Sequence, residues 1–113
     1  MVAGATREEV GFDYRTTAAG VHEVLSEALR VAPGLAQATL DEVRIGMRPA
    51  TPDNLPLLGA LPGLSNAFIA TGHGAYGLQL GPYSGALVAD MIRGIIPPLD
   101  LSPYAPERFA STG

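Results

Sequence analysis

Three glycines stand between a short apolar run and a helical pattern, and this arrangement constrains the fold more than any other feature. Residues 67–70 read Ala-Phe-Ile-Ala, and Gly72, Gly74 and Gly77 follow at the spacing G-x-G-x-x-G. Such a turn lets the backbone approach a ligand closely, and the N–H groups of the following helix favour an electron-rich group. A glycine-rich turn that only permits close packing is the alternative explanation.

A complete dinucleotide-binding site is not expected around these glycines. That site needs a second parallel strand with an acidic residue about 20 residues further on. Residues 95–100 read Ile-Ile-Pro-Pro-Leu-Asp, and prolines are excluded from central strands. Asp100 stands at the right distance but in a proline-rich tail. A minimal nucleotide binder that uses only Gly72 to Gly77 remains an alternative.

Two segments carry the periodicity of a helix. The first predicted helix covers about residues 18–32, with Thr16 or Thr17 as its N-cap and a Pro-Gly pair after its end. The second covers about residues 77–93, and Gly94 stands where a helix end favours a left-handed residue. The apolar positions of the two patterns are Val21, Val24, Leu25, Ala28, Leu29, Leu87, Val88, Met91 and Ile92.

The remaining segments predict strands, turns and a tail, so the sequence indicates an α+β fold with two main helices and three to four short strands. Residues 1–6 are apolar, residues 40–45 alternate apolar and polar side chains, and residues 67–71 form a compact apolar run. The pair Leu57-Leu58 lies between two turn signals. The proline-rich residues 98–113 are predicted to extend over a surface.

Composition removes several classes of function. The net charge is −4 with no basic run, so we expect no nucleic-acid partner. No cysteine is present, which excludes disulfides and zinc-thiolate sites, and His22 and His73 are the only imidazoles, so we expect no metal site. No apolar run approaches the roughly 20 residues of a membrane helix. With no signal-peptide pattern at the start, the prediction is a cytoplasmic protein without membrane insertion.

Four blocks in this order, GMRPATPD, PLLG, ATGHGAYGLQLGP and SGALVADMI, resemble the C-terminal part of the D-amino-acid oxidase-like, FAD-dependent oxidoreductases. Glycine oxidases and bacterial D-amino-acid dehydrogenases are the most similar branch, and the resemblance covers about residues 3–109. It implies one incomplete domain. Residues 1–62 would resemble substrate-domain strands and helix, residues 63–97 the final strand, turn and helix of the FAD domain, and residues 98–113 the tail.

The resemblance also implies a site. The family's pyrophosphate-binding loop lies at the N-terminus of a much longer chain, so the motif here would be a second flavin contact. Arg48 would bind the substrate carboxylate, and its position before Pro49 fixes its direction; a surface ion pair is the alternative. Tyr76 would border the substrate, or simply pack as an aromatic. Cofactor contacts are predicted at Gly72, His73, Gly74, Ala75, Tyr76, Gly77 and Leu78.

Two other side chains have simpler predicted roles. His73 would either hydrogen-bond the flavin or only occupy the turn. Asp53 is predicted to stabilise its turn through a side-chain bond to the backbone, with no catalytic role. We assign no catalytic residue to this chain.

The implied activity is oxidative deamination of glycine, D-amino acids or related amines with FAD as cofactor. The chain alone is expected to be inactive, because most FAD contacts would come from an N-terminal half, a partner chain or self-association. A non-enzymatic α+β interaction module, or a remnant of such an enzyme, is the alternative.

Overall fold

The computed structural model describes residues 1–110, and these divide into two compact units, before and after the peptide bond between Met47 and Arg48. The family-based division after residues 62 and 97 concerns the complete enzyme and stays a prediction. No helix within residues 1–110 is long and apolar enough to cross a membrane.

The first unit contains one helix, α1, which spans Ala18–Val31 as predicted. Thr17 is its N-cap: the Thr17 Oγ1 atom accepts a hydrogen bond from the Gly20 N–H at 3.1 Å. A 3₁₀ turn, Pro33–Gln37, follows directly. No residue of α1 is fully buried, and its apolar stripe is only half covered. Local capping and periodicity therefore account for this helix.

The first unit does not contain the strands predicted from its sequence. Residues 1–6 and 40–45 have no strand structure, so the described chain has two strands instead of three or four. The alternation of side chains at residues 40–45 was the basis of that prediction. Alternating side chains give a strand one apolar face, but a strand also needs an adjacent strand to pair with its backbone N–H and C=O groups. No such neighbour exists among the described residues.

The second unit begins with an antiparallel pair, β1 at Leu57–Ala60 and β2 at Phe68–Thr71. Leu57 pairs with Thr71 at one end of the ladder, and Ala60 pairs with Phe68 at the other. The predicted strand at residues 67–71 is confirmed, and its partner is the short apolar run that lay between two turn signals.

Helix α2, Gly77–Ile92, follows the glycine turn. Pro82 lies inside it, so one hydrogen bond of its early turns is missing. The helix ends as predicted: Gly94 has φ +71°, its N–H bonds the Met91 carbonyl at 3.0 Å, and the Ile95 N–H bonds the Asp90 carbonyl at 2.8 Å. This pair of bonds satisfies carbonyls that the helix end would leave free.

The core of the second unit lies between the hairpin and α2. Leu58, Leu87 and Val88 are buried there, and Leu101 and Tyr104 from the tail pack against them. The predicted tail is therefore not extended over a surface: it forms 3₁₀ turns at Ser102–Tyr104 and Pro106–Phe109. Prolines set φ for tight turns, and the apolar residues between them cover the core. Residues 111–113 of the predicted tail lie outside the described residues.

The α+β class predicted from the sequence is confirmed: residues 1–110 contain two α-helices and one two-stranded sheet.

Candidate functional site

The glycine turn joins β2 to α2, and its first two glycines have different surroundings. Gly72 has φ +78°, and a Cβ atom there would lie 2.8 Å from the Thr51 Cγ2 atom. Gly74 has φ +55°, and a Cβ atom there would meet nothing within 4 Å. Gly72 is therefore required for packing and backbone conformation, whereas the backbone at Gly74 is open to an approaching group.

The structure brings this turn next to the loop that carries Arg48. The Gly74 N–H donates a hydrogen bond to the Pro49 carbonyl at 2.8 Å. Arg48 itself is exposed and makes no ion pair with any side chain among residues 1–110. The backbones of two segments predicted to hold substrate and cofactor thus meet at this hydrogen bond.

The start of α2 lacks a side-chain cap. A short 3₁₀ turn, Gly74–Tyr76, leads into the helix, and Tyr76 occupies the N-cap position without a side-chain capping bond. The first N–H groups of a helix have no partner within it and carry partial positive charge. Ala75 and Tyr76 are exposed, and Leu78 is 97% exposed. This end of α2 can therefore receive a flat, electron-rich group.

His73 is held in place by a residue that sequence reasoning missed. The His73 Nε2 atom lies 2.8 Å from the Ser84 Oγ atom, and Ser84 is only 5% exposed. The pair connects the glycine turn to the second helical turn of α2. One nitrogen of the imidazole is therefore already engaged, and contact of His73 with flavin stays a prediction. A serine on an otherwise apolar helix face is the signal that could have identified this partner.

The loop after Pro49 is braced at several points. Asp53 makes the predicted turn bond, its Oδ1 atom accepting from the Leu55 N–H at 3.1 Å. Thr51 Oγ1 donates to the Leu55 carbonyl at 2.7 Å. Arg108, which sequence reasoning also missed, reaches the same turn from the tail: its Nε atom lies 2.7 Å from Asp53 Oδ2. The Arg108 guanidinium holds the pKa of Asp53 well below its ordinary value.

Comparison with known proteins identifies the class. A family model described as FAD dependent oxidoreductase (DAO) matches residues 1–91. The chain belongs to this family of FAD-dependent oxidoreductases, which confirms the resemblance seen in its sequence blocks.

Individual relatives show which part of such a protein the chain represents. It is 53% identical to the oxidoreductase YurR of Bacillus subtilis over 108 residues, which cover 94% of this chain and 29% of YurR. It is 37% identical to glycine oxidase of Geobacillus kaustophilus over 105 residues, which cover 93% of this chain and 28% of that protein. The chain thus spans less than a third of each relative and corresponds to a C-terminal portion.

Solved structures agree with this placement. The crystal structure of iminodiacetate oxidase (IdaA) from Chelativorans sp. BNC1 superposes with a TM-score of 0.82 at 46% identity, covering 91% of this chain and 28% of that one. The crystal structure of glycine oxidase from Geobacillus kaustophilus gives a TM-score of 0.73 at 38% identity, covering 83% and 25%. The fold described above is therefore the fold of this portion of the two oxidases.

Proposed function

We propose that this chain supplies the substrate-carboxylate site and one flavin contact of a FAD-dependent oxidoreductase that oxidises glycine, D-amino acids or related small amines. One observation carries the proposal: the hydrogen bond from the Gly74 N–H to the Pro49 carbonyl. It holds the loop of Arg48 beside an open glycine turn, so a carboxylate-binding cation and a flavin-contacting surface arise together from segments separated in sequence.

Arg48 is the proposed carboxylate-binding residue. Its guanidinium is exposed and unpaired within residues 1–110, and a planar fork of donors matches a carboxylate with two parallel hydrogen bonds. Tyr76, also exposed, follows the open turn and would border the bound substrate. These two side chains would fix where the amine-bearing carbon of the substrate lies, which is the protein's main contribution in cofactor-dependent chemistry.

The glycine turn fits the edge of a flavin ring. Gly74 leaves room for a planar group, and the uncapped start of α2 places backbone donors and partial positive charge beside it. When bound, FAD supplies the acceptor for the hydride that leaves the substrate. The backbone N–H groups of this chain would stabilise negative charge on the ring edge. The proposed contacts are Gly72, His73, Gly74, Ala75, Tyr76, Gly77 and Leu78.

The remaining FAD contacts would come from outside these 113 residues. Between the glycine turn and residue 110, no second strand with an acidic residue follows, so the turn does not fit the pyrophosphate or ribose of a dinucleotide. The relatives carry more than two thirds of their length beyond the part matched here. We therefore propose that activity requires an N-terminal FAD-binding half, supplied in the same chain or by a partner, at a cytoplasmic location.

A chimera tests this proposal. Residues 1–113 would replace the matching portion of glycine oxidase from Geobacillus kaustophilus, and glycine-dependent flavin reduction would be followed. Arg48→Ala should raise KM about a hundredfold, since a carboxylate loses charge-assisted hydrogen bonds of about 1.5–3 kcal/mol each. Arg93→Gln, which removes a cation from an exposed pair with Asp90, is the matched control and should leave KM unchanged.

Titration of the 113-residue chain with FAD addresses the flavin surface separately. Binding that is weakened by Gly74→Val would support the contact at the open turn. A folded chain that binds no FAD, together with an Arg48→Ala chimera of unchanged KM, would contradict the oxidoreductase role and favour the interaction module.

A further inference from the structure

The tail of the chain folds back onto the loop that carries Arg48. The family model ends its match at residue 91, yet residues 102–109 form two 3₁₀ turns that pack on β1. Pro106 is buried, and its Cδ atom would lie 3.4 Å from a Cβ atom at Gly59. This packing fixes the backbone of the tail beside the hairpin, and with it the starting point of the Arg108 side chain.

Arg108 makes a set of bonds across a separation of more than 50 residues. Its Nε atom donates to Asp53 Oδ2 at 2.7 Å, and one terminal nitrogen donates both to Asp53 Oδ1 at 3.1 Å and to the Leu55 carbonyl at 2.7 Å. The other terminal nitrogen bonds the Ala105 carbonyl at 3.2 Å. The side chain is only 17% exposed, so these bonds are shielded from water more than those of a surface pair.

The bonds from Arg108 converge on the turn that follows the segment of Arg48. Asp53 and Leu55 are also linked to each other, and Thr51 closes the turn through the Leu55 carbonyl. At its other end the same loop is held by the Gly74 N–H through Pro49. The segment between Arg48 and Leu55 is therefore fastened at both ends, by the glycine turn and by the tail.

We propose that Arg108 is a positioning residue for substrate binding, and this inference rests on the proposed function of Arg48. Arg108 orients the loop of Arg48 through a bidentate ion pair with Asp53. Arg108 does not contact the substrate itself. Its fork geometry is what the role requires, because a lysine in its place carries the charge but cannot make two parallel bonds to one carboxylate.

Steady-state kinetics of the chimera described above test this role. Arg108→Gln should raise KM for glycine about tenfold while kcat stays within about twofold, as expected when binding is lost without a change in the chemical step. Arg108→Lys should restore only part of the affinity. Asp53→Asn should raise KM by no more than Arg108→Gln, which also loses the bond to the Leu55 carbonyl, and the double variant should be no worse than Arg108→Gln alone, since both changes break the same ion pair.

The result that overturns the inference is specific. If Arg48→Ala raises KM and Arg108→Gln does not, Arg108 has no positioning role although the proposed function stands. If Arg108→Gln and the control Arg93→Gln raise KM equally, the effect is not one of position and the inference also fails. If Arg48→Ala itself leaves KM unchanged, the proposed function is wrong, and the role of Arg108 in substrate binding is wrong with it.

Amide NMR spectra of the 113-residue chain provide a second measurement if the chimera does not fold. Arg108→Gln should shift the amide signals of residues 50–55, and Arg93→Gln should leave them in place. Unchanged signals in Arg108→Gln would show that the tail does not hold the loop, which would overturn the inference without any assay of activity.

Discussion

Helix α1 in the first unit depends on neighbours along the chain, whereas the second unit is held by bonds between distant residues. In the first unit, Thr17 caps its own helix and Glu27 pairs with Arg30 three residues on. In the second, Arg108 pairs with Asp53, which lies 55 positions earlier in the sequence. All predicted site residues lie in the second unit. The candidate site therefore depends on tertiary packing within the second unit, and changes in the first unit should leave it intact.

The largest expected effect is a loss of stability, and it should be greater for the buried core of the second unit than for the half-covered helix of the first. Leu87→Ala removes a side chain that is 2% exposed and should destabilise the second unit by about 2–5 kcal/mol. Leu25→Ala on the half-covered stripe of α1 should cost less than half as much. Urea unfolding followed by amide signals of each unit measures both. Equal losses in the two variants would contradict the difference in burial.

A smaller effect is expected at the glycine turn. Gly72→Ala forces a left-handed alanine and a contact of 2.8 Å with Thr51 Cγ2, so it should destabilise the second unit by about 1–3 kcal/mol. Gly74→Ala meets no neighbouring atom and should cost less. Adding Thr51→Ser to Gly72→Ala removes the methyl group in contact and should recover part of the loss. Thermal unfolding of the three variants and of the unchanged chain checks the order.

The two histidine–serine pairs offer a matched test across the units. His73 and Ser84 lie 2.8 Å apart in a partly buried place, whereas His22 and Ser26 lie 3.4 Å apart and exposed on α1. Ser84→Ala should shift the ring-nitrogen signals of His73 and cost about 1 kcal/mol. Ser26→Ala should leave the His22 signals almost unchanged. Similar changes in both rings would show that burial does not distinguish the pairs.

The smallest effect at neutral pH concerns Asp53. Its pKa is lowered from 3.8, first by the hydrogen bond from Arg108, so its bond stabilises the folded state fully above the unfolded-state pKa. That stabilisation should be lost as the pH falls below about 4. Asp53→Asn should flatten the decline in the second unit alone. The matched change in the first unit is Asp13→Asn, because the hydrogen bond from Arg15 lowers the pKa of the Asp13 carboxyl group. Urea unfolding between pH 7 and 3 measures both slopes.

The helices were predictable because their signals are local. The apolar spacing, the cap at Thr17 and the left-handed Gly94 all lie within a few residues of the ends they define. The strand at residues 40–45 could not be judged in the same way, because a strand exists only when another segment accepts its backbone bonds. The folded conformation of the tail could not be predicted for a related reason. Leu101 and Tyr104 can cover the core only when the hairpin and α2 are packed together.

The residues of the candidate site also fall into two groups, those recognisable from local sequence and those recognisable only from tertiary contacts. The glycine turn and Arg48 stand in contiguous motifs, so the sequence reveals them. Ser84 and Arg108 act on residues 11 and 55 positions away. The serine on the apolar face of α2 signals that it needs a partner, but the neighbouring sequence does not say which residue that partner is. The bond between Gly74 and Pro49 is of the same kind. Sequence blocks therefore identify the groups that would touch ligands, while the groups that hold them emerge from the fold.

The packing of the tail also determines where this portion of the protein can be truncated or recombined without loss of its fold. Residue 91, where the family match ends, lies inside α2, one residue before that helix ends. A truncation there would remove Gly94, the buried Pro106, and the aromatic and aliphatic side chains that cover the hairpin. Recombination that exchanges this portion between oxidases would preserve a folded unit only if the crossover lies beyond the second 3₁₀ turn. Residues 94–110 therefore belong structurally to the same unit as the glycine turn.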